Sequence, residues 1–491
     1  MVNRLVAIAH KIFSLSEKKF LPLLMLLVLV SHLPYMKLPA VGNHVWRQCN
    51  TLAVAKNYAD ESMNLLEPRV DKRFETSGIT GPQFPAYEYV LACMYRSMGF
   101  SEYYHRWLSL IFTLLSVWAM HKVILHYTGN QVHATIGAVF LAFAPEMYFH
   151  GINAVPDIMA LCCMLWGWYA ALRWLQSFSW KPIFCATALL ALAGMIKLQF
   201  LMAGLPIAIG FFVHTERPRK AWLQSVIMGI FVAGLSLSWY AYAAYLVKTY
   251  GLHEFVHAMR HARSWGEALD ILGKNLFSDI PETWVGYTFL PFLLFGIYKS
   301  KAIWRKYLPV MAYGVGCLLF YFPVQYQFIH HGYYAIVFMP LMAFVVARGA
   351  GVVMQTRFAP WVLILAFSPV WAWIRIAPNN WTPGNLKVPD EFVNSKQAAL
   401  LRQNNDTTER WIVGPDISGC VYFYYTGTKG YPWDTAIERP VTLSQYYDKG
   451  AVGYVTDCPE LLIDSNLNYA PSYKLKLEKK VGNIGWYRII P

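Results

Sequence analysis

Long apolar stretches recur along the whole chain and alternate with short polar connections. They cover residues 20–36, 107–120, 132–149, 158–172, 182–196, 198–213, 221–247, 284–298, 307–329, 333–347 and 358–374. A helix needs roughly 20 apolar residues to cross a bilayer, so the pattern predicts about eleven transmembrane helices, some lengthened by polar flanks and some broken. The chain is therefore predicted to be an α-helical polytopic membrane protein.

The connection after the first apolar stretch is far more polar than its flanks. Between residues 44 and 58 the alternation predicts an interfacial amphipathic helix that turns Arg47, Gln48 and Asn50 to water. The lipid-facing side of that helix is predicted to consist of Val45, Leu52, Ala55 and Tyr58. A solvated loop without chemistry is the alternative.

The last part of the chain has a different composition. Short β-branched and aromatic runs, bounded by Gly, Pro and Asp, predict strands of a small soluble α/β domain. These runs are RWIVG, CVYFYY, AVGYVT and NIGWYRII. We therefore expect a transmembrane domain at 1–377, whose loop at 37–103 carries interfacial helices, and an α/β domain at 378–491.

Composition supports the membrane assignment. With 56% hydrophobic residues, 14% charged residues and a mean hydropathy of +0.32, the chain has too little polar surface for a soluble globule of 491 residues. The net charge of +14 suggests a nucleic-acid partner. A polyanion binder concentrates its Lys and Arg on one face, whereas here they occur in short clusters between apolar stretches, which is typical of the positive-inside bias. We therefore expect a lipid bilayer and no nucleic acid as partner.

Those basic clusters set the predicted orientation. They place the N-terminus in the cytoplasm, and an odd number of crossings then places the C-terminal domain in the periplasm of a bacterium, with the protein in the inner membrane. The outer face would also receive the opening loop, the turns at 150–157 and 330–331, and the loop at 248–283.

Two charges interrupt apolar sequence and have few structural explanations. Asp157 follows Val155 and Pro156 and comes directly before the apolar stretch at 158–172. Lys197 lies in GMIKLQF, between the apolar stretches at 182–196 and 198–213. Charges at membrane depth are costly and are usually functional or paired. For Asp157 the alternative is a helix N-cap. Arg106, at the head of the second span, has a helix-end anchor as its alternative.

Eight cysteines show no CxxC spacing. Cys420 and Cys458 lie in the polar tail, where they either pair in an oxidising compartment or stay as two thiols.

Four motifs together resemble one family. HVWRQCNTLAVAKNY, GPQFPAYEY, VPDIMAL and the tail motif VGPDISGCVYFYYTGTKGYPW are similar to the GT-C membrane glycosyltransferases, in the branch of the bacterial lipid A aminoarabinose transferase and the protein O-mannosyltransferases. The resemblance implies an inverting enzyme that moves a sugar from a polyprenyl-phosphate carrier. The acceptor would be a lipid-linked saccharide, lipopolysaccharide or a protein at the periplasmic face.

The resemblance also implies site residues. Asp157 matches the acidic residue of the second outer loop, expected to act as general base or to position the acceptor. Lys197 matches the position near the carrier phosphate. The full set expected to bind donor phosphate or sugar is Arg47, Gln48, Lys197, Arg106, Gln83, His330, His331 and Tyr334.

Two positions depart from the family pattern. Relatives generally carry Asp at the position of Asn50 and Glu at that of Gln83, and an amide cannot take a proton at neutral pH. If Asn50 occupies the position of the base, another carboxylate must act, or the enzyme is slow or inactive. The candidates are Asp157, Asp60, Asp71 and Glu75.

The sequence leaves a metal site as an alternative. Some bacterial relatives bind a divalent ion with that Glu and with outer-loop histidines. His257 and His261 lie four residues apart, a spacing compatible with zinc on one helical face. Because Gln83 removes an anionic ligand, we favour histidines that contact acceptor or phosphate over a bound metal, and expect no required cofactor.

Two other functions compete with transfer of a monosaccharide. A transporter or flippase of lipid-linked sugars would show inverted halves and matching broken helices. A glycan ligase or polymerase would need a stronger outer cationic cluster than Arg47, Arg106 and Lys197.

Overall fold

The computed structural model describes residues 2–214, 216–252, 261–300, 307–403, 405–406, 408–434, 445–462 and 474–490. The chain forms two compact units, each assembled from several stretches. The first unit comprises Met1–Met36, Arg106–Tyr240 and Ala258–Asn379. The second comprises Lys37–His105, Ala241–His257 and Asn380–Pro491. The predicted domain boundary at residue 377 stays a prediction.

Helices dominate the described residues. In chain order they are α1 Val2–Phe13, α2 Glu17–His32, α3 Val45–Asp60, α4 Ala86–Met98, α5 Tyr104–Thr128, α6 Gln131–Phe143, α7 Pro145–His150, α8 Asp157–Ser177, α9 Trp180–Ile196, α10 Gly204–Val213, α11 Arg219–Tyr250, α12 Trp265–Lys274, α13 Leu290–Ser300, α14 Leu308–Val324, α15 Met339–Val353, α16 Ser368–Asn380, α17 Asp390–Val393, α18 Ser395–Arg402 and α19 Val421–Thr426.

Tighter and wider helical turns link several of these helices. The 3₁₀ segments are Leu33–Tyr35, Leu198–Ala203, Gln325–Ile329, Gly332–Phe338, Ala359–Phe367 and Pro459–Leu462. A π-helix covers Asn275–Trp284. The strands are β1 Arg410–Val413, β2 Gly430–Pro432, β3 Ala451–Thr456, β4 Lys474–Val481 and β5 Ile484–Ile490.

Within the described residues, seven helical segments are long and apolar enough to cross a membrane. They are Glu17–Tyr35, Tyr104–Thr128, Asp157–Ser177, Arg219–Tyr250, Leu308–Ile329, Gly332–Val353 and Ala359–Asn380. The other four predicted spans coincide with shorter apolar helices, namely Gln131–Phe143, Trp180–Ile196, Leu198–Val213 and Leu290–Lys299. The chain is a multi-pass membrane protein.

Small residues let helices of the first unit approach closely. At the crossing of α13 and α15, a Cβ added to Gly349 would lie 1.9 Å from the carbonyl oxygen of Phe292, and one added to Gly296 would lie 2.2 Å from that of Val345. Real side chains never pack at such distances. The two backbones therefore touch here, as is common where helices associate in a membrane.

The second unit contains a five-stranded mixed sheet in the order β2-β1-β3-β5-β4. Strand β1 pairs in parallel with β2 and β3, whereas β5 pairs antiparallel with β3 and β4. The sheet buries Ile412, Tyr431, Trp433 and Tyr454 in one core. This confirms the predicted α/β region after the last apolar helix.

The opening loop extends this sheet inside the second unit. The backbone amides of Arg73 and Phe74 both donate to the carbonyl oxygen of Gly430, and the Gly430 amide donates to that of Asp71. Lys72 forms an isolated parallel bridge with Gly430. The loop thereby covers the edge strand β2, whose backbone groups would otherwise lack partners.

The predicted helix after His44 exists, but its predicted amphipathic exposure is wrong. On α3 the polar residues Arg47, Gln48 and Asn50 are buried, as are Val45, Leu52, Ala55 and Tyr58. The helix packs against both α4 and α19. Because two helices of the same unit cover it, no face is left for water over most of its length.

One of the four predicted strands is also wrong. CVYFYY forms the helix α19 rather than a strand. The Asp416 carboxylate accepts hydrogen bonds from the amides of Cys420, Val421 and Tyr422 at 2.8–3.2 Å, which satisfies the free donors of a first helical turn. This local cap prevails over the β propensity of aromatic residues. Strands β2 and β4 were not predicted.

Candidate active site

Asp157 is the first residue of α8, and its side chain is completely buried. Neither carboxylate oxygen accepts a hydrogen bond from a described residue. The N-cap position belongs to Pro156, and Asp157 makes no capping bond, so the capping alternative is wrong. Burying a carboxylate without hydrogen bonds costs free energy, so a charged partner or a functional role is expected for Asp157.

Lys197 supplies the counter-charge of Asp157. Its Nζ lies 3.4 Å from Asp157 Oδ1, and its side chain is 13% exposed. Lys197 has extended backbone between the end of α9 and the 3₁₀ segment Leu198–Ala203. The break in the helix carries this side chain to the start of α8. The structure thus brings together the two charges that the sequence singled out.

Two tyrosine rings also lie close to the Lys197 ammonium. The ammonium lies 5.2 Å from the ring centroid of Tyr333 and 5.0 Å from that of Tyr334, within cation–π range. The ring of His331 stacks at 5.8 Å on Tyr334. His330 is adjacent, 6.4 Å from His331 between ring centroids, and is exposed. Aromatic faces therefore border a partly accessible cation.

Helix α5 holds the turn that leads into Asp157. Arg106 is fully buried and donates to Asn153 Oδ1 at 3.0 Å. Ser109 donates to the Asn153 carbonyl at 2.7 Å, and Thr113 donates to the Gly151 carbonyl at 2.8 Å. Arg106 is therefore an internal clamp on this turn rather than an anchor at the membrane surface. Its predicted contact with phosphate stays a prediction.

A second contact, between a histidine and a carboxylate, borders Tyr333 and was missed from the sequence. His150 Nε2 lies 3.1 Å from Glu146 Oε2 across one turn of α7. A Cβ on Gly332 would lie 3.0 Å from Glu146 Oε1, and the His150 ring meets Tyr333 edge-on at 6.0 Å. The spacing Glu-x-x-x-His was the available signal. These contacts hold the Gly332–Phe338 segment beside Lys197.

The predicted residues of α3 lie in the second unit and make internal contacts. The Gln48 amide donates to the carbonyl of Val41 at 3.0 Å. Arg47 is buried. Asn50 lines a cavity of about 10 Å³, enough for about one water molecule, together with Asp71 and Lys72. Such a cavity cannot admit a sugar.

The remaining candidates of the opening loop differ in exposure. Asp60 ends α3 and pairs with Lys56 four residues earlier, with its side chain 49% exposed, as in an ordinary surface ion pair. Gln83 has a buried amide nitrogen that donates to no described residue. Glu75 pairs with Lys449 at 2.9 Å.

Asp71 is a buried carboxylate of the second unit. Burial raises the pKa of Asp71 above its ordinary value, although the nearby Arg73 charge and a hydrogen bond from Asn57 at 2.8 Å act in the opposite direction. Its carboxyl group therefore keeps its proton to higher pH than an exposed Asp.

No group of three or more His, Cys, Asp or Glu side chains within the described ranges is arranged to hold a metal ion. Of the two histidines considered for zinc, His257 lies outside the described residues. His261 is exposed, and its Nδ1 lies 2.7 Å from the carbonyl oxygen of Pro323. Cys420 and Cys458 are free thiols, so the pairing alternative is wrong.

Comparisons with known proteins agree with this architecture. Residues 81–245 match the family model for dolichyl-phosphate-mannose-protein mannosyltransferase. A search of curated proteins finds no match. The crystal structure of ArnT from Cupriavidus metallidurans bound to undecaprenyl phosphate superposes with a TM-score of 0.66 and 11% identity, covering 96% of this chain and 98% of that chain.

The apo form of the same ArnT gives a TM-score of 0.63 at 11% identity over 95% of this chain and 96% of that one. The chain has the GT-C fold. The apo oligosaccharyltransferase of Archaeoglobus fulgidus shares it, with a TM-score of 0.58 and 10% identity over 91% of this chain and 70% of that one. The predicted fold class and the resemblance to GT-C membrane glycosyltransferases are confirmed.

Proposed function

We propose that this protein is a GT-C glycosyltransferase that moves a sugar from a polyprenyl-phosphate carrier to an envelope acceptor. The observation that carries the proposal is the buried Asp157 carboxylate, which has Lys197 beside it and no hydrogen-bond donor from the described residues. Support comes from the mannosyltransferase family model over residues 81–245 and from the fold of an ArnT that binds undecaprenyl phosphate.

Asp157 has the properties of a base for the acceptor hydroxyl. Its oxygens accept no hydrogen bond from the part of the chain that the structure describes, and a hydroxyl entering the site would supply one. In the transfer, the acceptor O–H bond breaks and its proton passes to Asp157, while the acceptor oxygen forms a bond to the anomeric carbon. The bond from that carbon to the carrier phosphate breaks, and its electron pair leaves with the phosphate.

Lys197 has the properties of the group that stabilises the departing phosphate. An ammonium carries three donors, so it can bind a phosphate oxygen while it stays close to Asp157. Its 13% exposure leaves an approach for the headgroup. His331 and Tyr334 border this approach and are proposed to contact the phosphate or sugar.

The proposed reaction uses residues of the first unit and assigns no step to the candidates on α3. Asp157 and Lys197 act on substrate, and Arg106 positions the turn before Asp157. The roles assigned to Arg47, Gln48, Asn50, Gln83 and Asp60 stay predictions, as does a sugar-phosphate contact for His330. No step is assigned to a metal.

The cellular setting is part of the proposal. We place the protein in a bacterial inner membrane, with its N-terminus in the cytoplasm and its C-terminal domain in the periplasm. This orientation follows from the distribution of Lys and Arg between the apolar stretches. The acceptor class, whether glycan, lipid or protein, is left to experiment.

Mass spectrometry of envelope glycolipids and glycoproteins tests the function. Cells that express the protein should contain a glycoconjugate heavier by one monosaccharide than in cells lacking it. Purified protein in vesicles should release free polyprenyl phosphate only when the acceptor is present. Identical glycan profiles in the two strains would contradict the proposal, and movement of the intact carrier without release of phosphate would indicate a flippase.

A further inference from the structure

The α8 and α9 pair carries a second feature, a groove whose mouth lies at the end remote from Asp157. A groove of about 540 Å³ runs between α5, α8 and α9. Its apolar lining includes Phe112, Leu115, Cys162, Trp166, Cys185 and Leu189. Arg173, which also lines it, is about 24 Å from Asp157 along α8 at 1.5 Å per residue. The apolar wall continues along α8 to Cys162, five residues or about 7.5 Å from Asp157, but none of the residues that line the groove belongs to the candidate active site.

The mouth of the groove is cationic. Arg173 and Lys181 both line it, and both are exposed. Arg173 donates to the neutral Gln176 amide at 3.3 Å, and neither cation forms an ion pair with a carboxylate in the parts of the chain that the structure describes. Two positive charges without a local counter-charge thus adjoin a long apolar surface.

Aromatic side chains place this mouth at the headgroup level of a bilayer. Trp180 and Phe184 are 41% and 60% exposed and stack on each other at 5.5 Å. Exposed Trp next to Lys is typical of the membrane–water interface. The apolar wall of the groove then lies at the depth of the acyl chains.

We propose that this groove binds an anionic glycerophospholipid, with an acyl chain along the apolar wall and the phosphate between Arg173 and Lys181. Charge complementarity selects this occupant. A zwitterionic lipid brings its own cationic group to the mouth, whereas an anionic headgroup brings only negative charge. The proposal does not depend on the transferase reaction.

Native mass spectrometry of the full chain in neutral detergent tests the site, with phosphatidylglycerol and phosphatidylcholine of identical acyl chains as probes. The wild type should bind phosphatidylglycerol about tenfold more tightly. The Arg173→Gln/Lys181→Gln variant should lose this preference, whereas Arg173→Lys/Lys181→Arg should keep it. The matched control is Arg219→Gln/Lys220→Gln, which removes two exposed charges at the start of α11 and should behave as wild type.

Three results would overturn the proposal. One is equal affinity of the wild type for both lipids. Another is an equal loss of preference in the Arg219/Lys220 control, because nonspecific attraction would then explain binding. The third is displacement of phosphatidylglycerol by equimolar undecaprenyl phosphate, which would assign the groove to a carrier lipid. Thermal unfolding of each variant confirms that it is folded.

Discussion

Lys197 reaches Asp157 because the helix ends immediately before it. An ammonium in this position lies close to a carboxylate and to two aromatic faces, so its desolvation is offset by several partners. A carrier phosphate would add a second anion to the same cation. The affinity for the carrier should therefore depend on this one side chain.

The Lys197→Ala variant should bind undecaprenyl phosphate at least about tenfold more weakly, because a charge-assisted contact in a partly buried site is lost. Native mass spectrometry with undecaprenyl phosphate measures this affinity. Lys220→Ala, which removes an exposed lysine, is the control and should bind as wild type does. An unchanged affinity in Lys197→Ala would remove Lys197 from carrier binding.

Asp71 predicts a pH dependence of stability. Because burial raises the pKa of Asp71 in the folded state, the folded protein holds this proton in a pH range where the unfolded chain has released it. Its contribution to the free energy of unfolding is then present below pH about 4 and falls as pH rises through the raised folded-state pKa.

The Asp71→Asn variant removes this titration while it retains an acceptor for Asn57. Its stability relative to wild type should increase from pH about 4 upward and then level off. Thermal unfolding in detergent across that range measures the difference. A difference that stays constant with pH, or that has the opposite slope, would contradict the assignment.

At the scale of elements, the geometry before Asp157 depends on α5. Ser109 and Thr113 lie four residues apart on one helical face, and both donate to carbonyls of the turn at 151–153. Ser109 and Thr113 act by holding the backbone before Asp157, so their loss should affect the chemical step more than the binding of the carrier lipid.

The Ser109→Ala/Thr113→Val variant should lower the rate of sugar transfer while the affinity for undecaprenyl phosphate stays near that of wild type. The reason is that the turn loses two hydrogen bonds, each worth about 1 kcal/mol, while Lys197 keeps its place. Transfer rate and carrier affinity are measured on the same preparation. An equal loss of both, or of neither, would argue against a positioning role.

The crossing of α13 and α15 gives a prediction for folding. Gly349→Ala should destabilise the protein by about 1–3 kcal/mol, because the added carbon would meet the Phe292 carbonyl and force the helices apart. The control Gly234→Ala on α11 meets no atom within 4 Å and should be neutral or slightly stabilising. Thermal unfolding compares them, and equal effects of the two changes would refute close contact.

Helices were predictable from the sequence where the length of an apolar stretch is sufficient to define them. All eleven apolar stretches coincide with apolar helices. The burial of α3 was not predictable, because a helix that two others cover has the same composition as one at an interface. The helix at CVYFYY depends on a cap from Asp416, which lies four residues before the N-cap residue Cys420. The β propensity of the aromatic residues does not take such a cap into account.

At the scale of the molecule, the pair Asp157–Lys197 was predictable because charges within apolar sequence stand out. The pair lies 40 positions apart in sequence and 3.4 Å apart in space. Glu146, His150 and the contacts of α5 were missed, since these residues lie in or beside predicted apolar stretches and their partners are distant or unremarkable in sequence. The predicted approach of the opening loop to this pair stays a prediction.

The central claim is that Asp157 accepts the proton of the acceptor. Its most direct test complements a strain lacking the protein with wild type, Asp157→Asn, or the exposed-residue control Asp270→Asn, and measures the glycosylated envelope product by mass spectrometry at matched membrane abundance. Loss of a general base predicts a fall in product formation of about 100-fold or more in Asp157→Asn, and none in the control. Product at the wild-type level in Asp157→Asn would contradict the account.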